Sequence, residues 1–470
     1  MLRHLVTYII VLAAGLSARS QAFDVLAGGL STAGIPSETA SLTLRGSLNA
    51  ADLDWLGNHL KNVGTLDMSG VEIVQWTGRR LAHGVTSASR CELPPYIFAG
   101  LHAGKVILPY SLHIIGDGAF MQSRIKSIDI PATVDFIGMA AFSQCDLLSS
   151  VTLPTALKCI PQKAFEDCVS LTSLTVPDGI SAIGQRAFYG CISLSSVYFP
   201  ATLSSIGDEA FSHTDIAGAY LAGCTSLRSV GAYAFASCSS LRAVTLPDGL
   251  RSLGEGAFWE CPSLRSIVLP VDMTTLAPLM FKGDSSLASV GLPHALESMG
   301  KLALAGTSVG TVSLPSGLTF IDDNAFENMA ALQHIDATRL SEVPSLGSEV
   351  WAGVLQDSVS LHVGDDEADA FRAALQWQDF RILDRSQSAL VPLEADSYYK
   401  VSFDGPILKV ESDKPLREVS LFDLDGHRLA AVAGPSDTLV TIDTSPWHTS
   451  FFILSVITDG SVRHVLKLIR

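Results

Sequence analysis

Aromatic residues recur along most of this chain at a nearly constant interval, and no other feature constrains its fold so strongly. Phe98, Phe120, Phe142, Phe165, Phe188, Phe211, Phe235, Phe258 and Phe281 are followed in phase by Leu304, Phe326 and Trp351. Successive members are 22 to 25 residues apart, which defines about twelve repeating coils. A period of this length is the mark of a solenoid, in which each repeat is one small unit stacked on its neighbours.

One coil shows the logic. From Phe165 the chain reads Phe165, Cys168, Leu171, Leu174, Val176, Pro177, Ile180, Ile183, Gly184 and Phe188. The two-residue step from Leu174 to Val176 predicts a short strand, because alternate side chains face one way. Pro177 ends that strand, since it cannot donate a ladder hydrogen bond. Gly184 is placed for a tight corner where a side chain would be costly. A coil burying roughly seven apolar side chains gains about 10–20 kcal/mol. Ordering its backbone costs about 23–46 kcal/mol. A lone coil therefore cannot fold, and the stack needs neighbours and capped ends.

The repeating stretch resembles the BspA-like family of leucine-rich repeats. Cys238-Ser239-Ser240-Leu241-Arg242-Ala243-Val244-Thr245-Leu246-Pro247, closing on Gly254 and Phe258, carries that family's motif. The match runs over about residues 86–363. It implies a mainly β fold, a curved leucine-rich-repeat solenoid with one parallel strand per coil, and a bacterial surface or secreted protein used for attachment. The coil between Phe211 and Phe235 departs from the motif. It lacks the strand proline, and Cys224-Thr225-Ser226-Leu227 repeats the motif in the wrong slot, so a local irregularity is expected there.

Residues 23–85 lack the phase and are expected to form a small α/β N-terminal cap. Ser41–Arg45 and Leu66–Gly70 are predicted strands, with a helix between them capped by Asn49 or Asp52 and running to about Leu60. Residues 364–392 are predicted as a C-terminal cap and linker, with Phe371, Trp377 and Phe380 over the final coil. Seven short apolar or alternating runs follow in residues 393–470: 398–403, 407–410, 419–422, 428–432, 439–442, 451–456 and 462–468. Turn signals at Asp425-Gly426, Gly434-Pro435 and Asp459-Gly460 separate several of them. The expectation is a small Ig-like β-sandwich. This tail also resembles the C-terminal sorting domain of the type IX secretion system, through Val419–Gly426, Phe451–Val456 and Leu466–Ile469. It lacks that family's early Asn-Pro pair, and His448-Thr449-Ser450 stands where a Gly usually precedes the late aromatic. The resemblance implies contact with the secretion machinery.

The first residues read as a secretory signal spanning residues 1–22. Arg3 and His4 precede an apolar run from Leu5 to Leu16, and Ser20 and Ala22 are small residues suited to cleavage after Ala22. No other segment has the length and apolarity of a membrane-spanning helix, so no membrane insertion is expected after signal removal. The net charge is −16, which opposes binding to nucleic acid or to an anionic membrane surface.

Eight cysteines in an exported chain first point to disulfides. Five of them argue otherwise: Cys145, Cys168, Cys191, Cys238 and Cys261 each lie three residues after their coil's Phe. They are expected to form an inward column of small buried thiols that donate weakly to loop backbone. Cys91, Cys159 and Cys224 fall outside that column, and a bridge among them stays open. No metal-ligating cluster, phosphate-binding loop or cofactor site is evident. Gly306-Thr307-Ser308-Val309-Gly310 matches a nucleophile-elbow pattern, yet it occupies the slot of Gln122–Lys126 in an earlier coil and reads as a short coil variant. Asp423-Leu424-Asp425-Gly426 lacks the further carboxylates of a calcium loop and reads as a hairpin turn.

The outward strand positions offer the most useful surface. The candidates are Ser127, Asp129, Ser150, Thr152, Ser173, Thr175, Ser196, Tyr198, Thr245 and Val268, with Ser266, Ser289, Thr311 and Ser313 continuing the series. At about 4.8 Å per coil, this nearly uncharged ribbon is on the order of 50 Å long. It suits contact with an extracellular protein or glycan, and adhesion is the expected function. The alternatives are a structural component of an extracellular assembly and, more remotely, a hydrolase carried on a repeat scaffold. No catalytic residue is expected.

Overall fold

The computed structural model describes residues 20–81, 84–384, 399–404, 406–412, 416–422, 428–433, 439–445, 451–458 and 463–469. The leader run Leu5–Leu16, the turns at Asp425-Gly426, Gly434-Pro435 and Asp459-Gly460, and His448-Thr449-Ser450 lie outside them. The chain forms two compact units: residues 1–359 with 374–380, and residues 360–373 with 381–470.

The first unit is a stack of parallel coils. It opens on β1 (Ser20–Val25), β2 (Glu38–Leu48) and β3 (Asn62–Ile73), which pair in parallel in that order. Ser20, Gln21 and Ala22 lie within β1, so cleavage after Ala22 would shorten that strand to three residues. The strand Ala103–Ile107 joins next to β3, followed by Ser127–Asp129 and Ser150–Thr152. The N-terminal block therefore lacks the aromatic phase but shares the sheet of the repeats. Between β2 and β3, helix α1 (Ala50–His59) starts in a reciprocal capping box: Asn49 accepts from the Asp52 amide, and the Asp52 carboxylate accepts from the Asn49 amide. Asp52 is buried and also accepts from Gly28 and Leu30, so three backbone amides hold its carboxyl oxygens. Gly57 lets α1 sit directly on the first coil, since a Cβ there would lie 2.6 Å from the Ile97 carbonyl.

Inside the coils the aromatic slot forms a ladder from Phe98 to Phe281. Rings from Phe120 to Phe211 stack 5.2–5.4 Å apart and within 6° of parallel. The ladder lapses at Leu304 and resumes with Phe326 on Trp351 at 4.4 Å. Trp377 and Phe380 close this end, edge-on to Trp351 at 5.2 and 4.9 Å. Phe371 is buried, and its segment belongs to the second unit.

The residues two before and two after each ladder residue have positive φ, for example Lys163 and Asp167 around Phe165, and Arg186 and Gly190 around Phe188. Most are not glycine. This alternation turns every second amide toward the next coil: Ala140, Phe142 and Gln144 donate to the carbonyls of Gln162, Ala164 and Glu166 at 2.7–3.0 Å. Gly184, by contrast, has no positive φ. It is required because a Cβ would stand 2.6 Å from the Gln162 amide nitrogen of the preceding coil.

The coil expected to be irregular differs in a defined way. Its strand, Gly218–Tyr220, begins one residue earlier after Phe211 than Ser196–Tyr198 does after Phe188. Two extra residues then form a turn in which Cys224 donates to Leu221 and Leu227 to Cys224.

In the second unit, Ser360–His362 pairs in parallel with Arg381–Leu383, and α2 spans Ala368–Ala373. The seven tail strands make two antiparallel sheets. Tyr399–Asp404, Ile407–Ser412 and Leu439–Asp443 form one; Leu416–Phe422, Arg428–Ala433, Phe451–Thr458 and Arg463–Ile469 form the other. Leu408, Val410, Val419, Leu421, Val440, Ile442 and Leu454 build a core shared by both.

Candidate binding face

Most three-residue strands of the stack, from Ser127–Asp129 to Thr311–Ser313, turn the middle side chain inward and the flanking pair outward; the exceptions include Gly218, which is buried. Leu174 and Ile267 are buried, for instance, while Ser173, Thr175, Ser266 and Val268 are exposed. Ten candidate residues lie on this one outward face. Asp129, Ser150, Thr152, Ser173, Thr175, Ser196, Tyr198, Thr245 and Val268 are exposed, and Ser127 is half-buried. Register places Ser150 beside Ser127, Thr152 beside Asp129, Ser196 beside Ser173 and Tyr198 beside Thr175. The face thus carries two parallel rows, one of serines and one of larger side chains. The Thr152 hydroxyl donates to Asp129 at 2.8 Å, which leaves that carboxylate at one end of an otherwise uncharged run. Tyr198 and Val268 are 66% and 68% exposed.

Tyr220 belongs to the same row and is 65% exposed, paired with Thr245 of the next coil. It is absent from the sequence-derived set because the early start of its strand moves it out of the regular slot. A usable signal was present. Coils with Ser123, Thr214 or Thr307 in place of the cysteine all begin their strand one residue early.

The cysteine column adopts its expected arrangement. Each thiol donates across coils: Cys145 to the carbonyl of Phe120, Cys168 to Phe142, Cys191 to Phe165, Cys238 to Phe211 and Cys261 to Phe235, at 3.1–3.2 Å. Burial pushes the Cys191 thiol up to about 12 and Cys238 to about 11, so both stay protonated. Cys91, Cys159 and Cys224 are free as well, half-buried, exposed and buried respectively. In the elbow-like stretch, Thr307 fills the cysteine slot and donates to Leu304, while Ser308 donates to the Ser285 carbonyl at 2.6 Å. That segment is a coil turn leading into the strand Thr311–Ser313, not the strand-to-helix turn a nucleophile elbow needs. Among the described residues, no group of three or more His, Cys, Asp or Glu side chains is arranged to hold a metal ion. No helix among them is long and apolar enough to cross a membrane.

Parallel coils of 22 to 25 residues, an inward aromatic ladder and one outward strand face define a leucine-rich-repeat solenoid. A model of the BspA-type leucine-rich repeat region matches six copies over residues 92–218 and 219–333, more than half of the chain. The protein belongs to that family. Among solved structures, a leucine-rich repeat protein from Bacteroides ovatus is 20% identical, covers 73% of this chain and 88% of its own, and superposes with a TM-score of 0.55. That likeness supports the fold. A leucine-rich cell surface protein from Faecalibacterium prausnitzii is 21% identical over 59% of this chain and 88% of its own, with a TM-score of 0.34. A leucine-rich repeat protein from T. pallidum is 31% identical over 40% of this chain and 78% of its own, with a TM-score of 0.33. No curated protein matches the chain.

Proposed function

We propose that the protein is exported, resides at or outside the bacterial cell surface, and uses the outward strand face of its solenoid to hold an extracellular protein or glycan, with adhesion as the result. The observation that carries this reading is the face itself. Coil after coil presents small, uncharged, mostly hydroxyl-bearing side chains in two rows, and large side chains such as Tyr198 and Val268 stand on it exposed. Such a surface avoids the large cost of stripping charges of water, and its hydroxyls can hydrogen-bond to a partner in place of water. Export is supported by the apolar run Leu5–Leu16, and delivery to the surface by the likeness of the tail to a type IX sorting domain.

The test is a binding screen of the purified chain against matrix proteins, cells and glycans. Tyr198→Ala and Thr175→Lys are each expected to weaken capture at least about tenfold, the loss of roughly 1.4 kcal/mol. A broad screen without any capture, or capture indifferent to both substitutions, would overturn the assignment.

A further inference from the structure

The exposed tyrosine of the irregular coil has an unusual bed. At Gly218 a Cβ would stand 2.7 Å from Cε2 and Cζ of the Tyr220 ring and 2.8 Å from its hydroxyl oxygen. The ring therefore lies down over the Gly218 backbone, and Gly218 is buried although it belongs to the outward row. In other coils this slot holds Ser150, Ser173, Ser196, Ser266 or Ser289, whose side chains leave no room for a ring laid flat. Tyr220 remains 65% exposed, so its outer face meets solvent. Ala243 and Thr245 flank it in the next coil, and the exposed strand Ser196–Tyr198 lies in the coil before. From Ser173 to Val268 no residue of these strands is charged.

We propose that Tyr220, laid on Gly218 and neighboured by Tyr198, is a stacking platform for a neutral pyranose of an extracellular glycan. The proposal rests on the strand face being the binding surface and names its ligand class. A pyranose has one face of C–H bonds and a rim of hydroxyls. The C–H face packs on the electron-rich face of an aromatic ring, and the rim finds the hydroxyls of Ser196, Thr175 and Thr245. A protein partner is served better by a projecting side chain that fills a pocket, and a ring lying flat projects nothing. The coil spacing of about 4.8 Å is close to the length of one sugar residue. A linear glycan running along the stack would thus set one ring on Tyr220 and the next beside the exposed Tyr198 of the preceding coil. The strand residues themselves carry no counter-charge for sialic acid or sulfate; the nearest cations in sequence are the exposed Arg242 and Arg265, which directly precede the strands Ala243–Thr245 and Ser266–Val268.

The experiment applies the full chain to an array of neutral, sialylated and sulfated oligosaccharides, and in parallel to a panel of immobilised matrix proteins. Tyr220→Ala is expected to reduce capture by neutral oligosaccharides at least tenfold. Gly218→Ser, which installs the residue the slot holds elsewhere, is expected to reduce it several-fold with an unchanged melting temperature. Capture confined to acidic glycans, or capture of neutral ones that both variants keep, would overturn the proposal. Capture of matrix proteins alone, weakened by Tyr198→Ala, would overturn the glycan while leaving the strand-face reading intact. No capture of either class would overturn both.

Discussion

Asp284 occupies the slot, three residues after Phe281, that holds cysteine in five other coils. It is fully buried. Its Oδ1 accepts from the Cys261 amide at 2.7 Å, and among the described residues its Oδ2 has no hydrogen-bond partner. Burial pushes its carboxyl up to about 9, against the single opposing hydrogen bond from Cys261. A protonated acid here is neutral, like the thiols and hydroxyls above and below it. The folded state therefore keeps a proton that the unfolded chain releases near pH 4. Stability is greatest below the unfolded value and falls as pH rises toward 9, by at most about 1.4 kcal/mol per pH unit. Asp284→Cys, which restores the column, should raise the melting temperature at pH 8 and have a much smaller effect at pH 4.5. Thermal melts at the two values check this; an equal gain at both would remove the titration argument.

At the scale of the coil, two opposing terms meet. Each left-handed non-glycine residue costs roughly 1–2 kcal/mol, and most coils hold one or two of them beside the ladder residue. The strain persists because these residues aim alternate amides at the next coil's carbonyls, where leaving the amides unpaired in a buried stack would cost more. The ring ladder fixes the same segment from within. Phe188, flanked by rings at 5.4 and 5.3 Å, is a central rung. Phe188→Ala should destabilise by about 3–5 kcal/mol. In a nearest-neighbour stack the damage should concentrate in the adjoining coils. Hydrogen exchange should show the amides of residues 163–167 and 209–213 losing protection first, with the terminal coils little changed. Uniform loss along the stack would contradict that locality.

For the whole molecule, the ends matter most. The repeating unit begins with strands that continue its own sheet and finishes with Trp377 and Phe380 against Trp351. The seven tail strands build a separate core around residues such as Val419 and Leu454. A separate compact unit fits a role in delivery, distinct from ligand contact. Deleting the residues after Leu393 is expected to leave the protein in the periplasm of a bacterium carrying the type IX machinery, with the solenoid still folded. Cell fractionation checks this, and undiminished surface delivery of the truncated chain would rule out the sorting role.

The solenoid was legible in the chain alone, because a buried slot filled by Phe or another large side chain at a nearly constant period leaves few other ways to cover it. The spacing of Cys145, Cys168 and Cys191 after their Phe residues likewise exposed the column, and the Ser/Thr alternation exposed the outward rows. Two features emerge only from contacts in the folded chain. Left-handed backbone at Lys163, Arg186 or Glu209 carries no sequence mark, since what stabilises it is the neighbouring coil's carbonyls. The platform at Tyr220 depends on a one-residue shift of a strand and on a ring lying over Gly218, and both follow from contacts rather than from period.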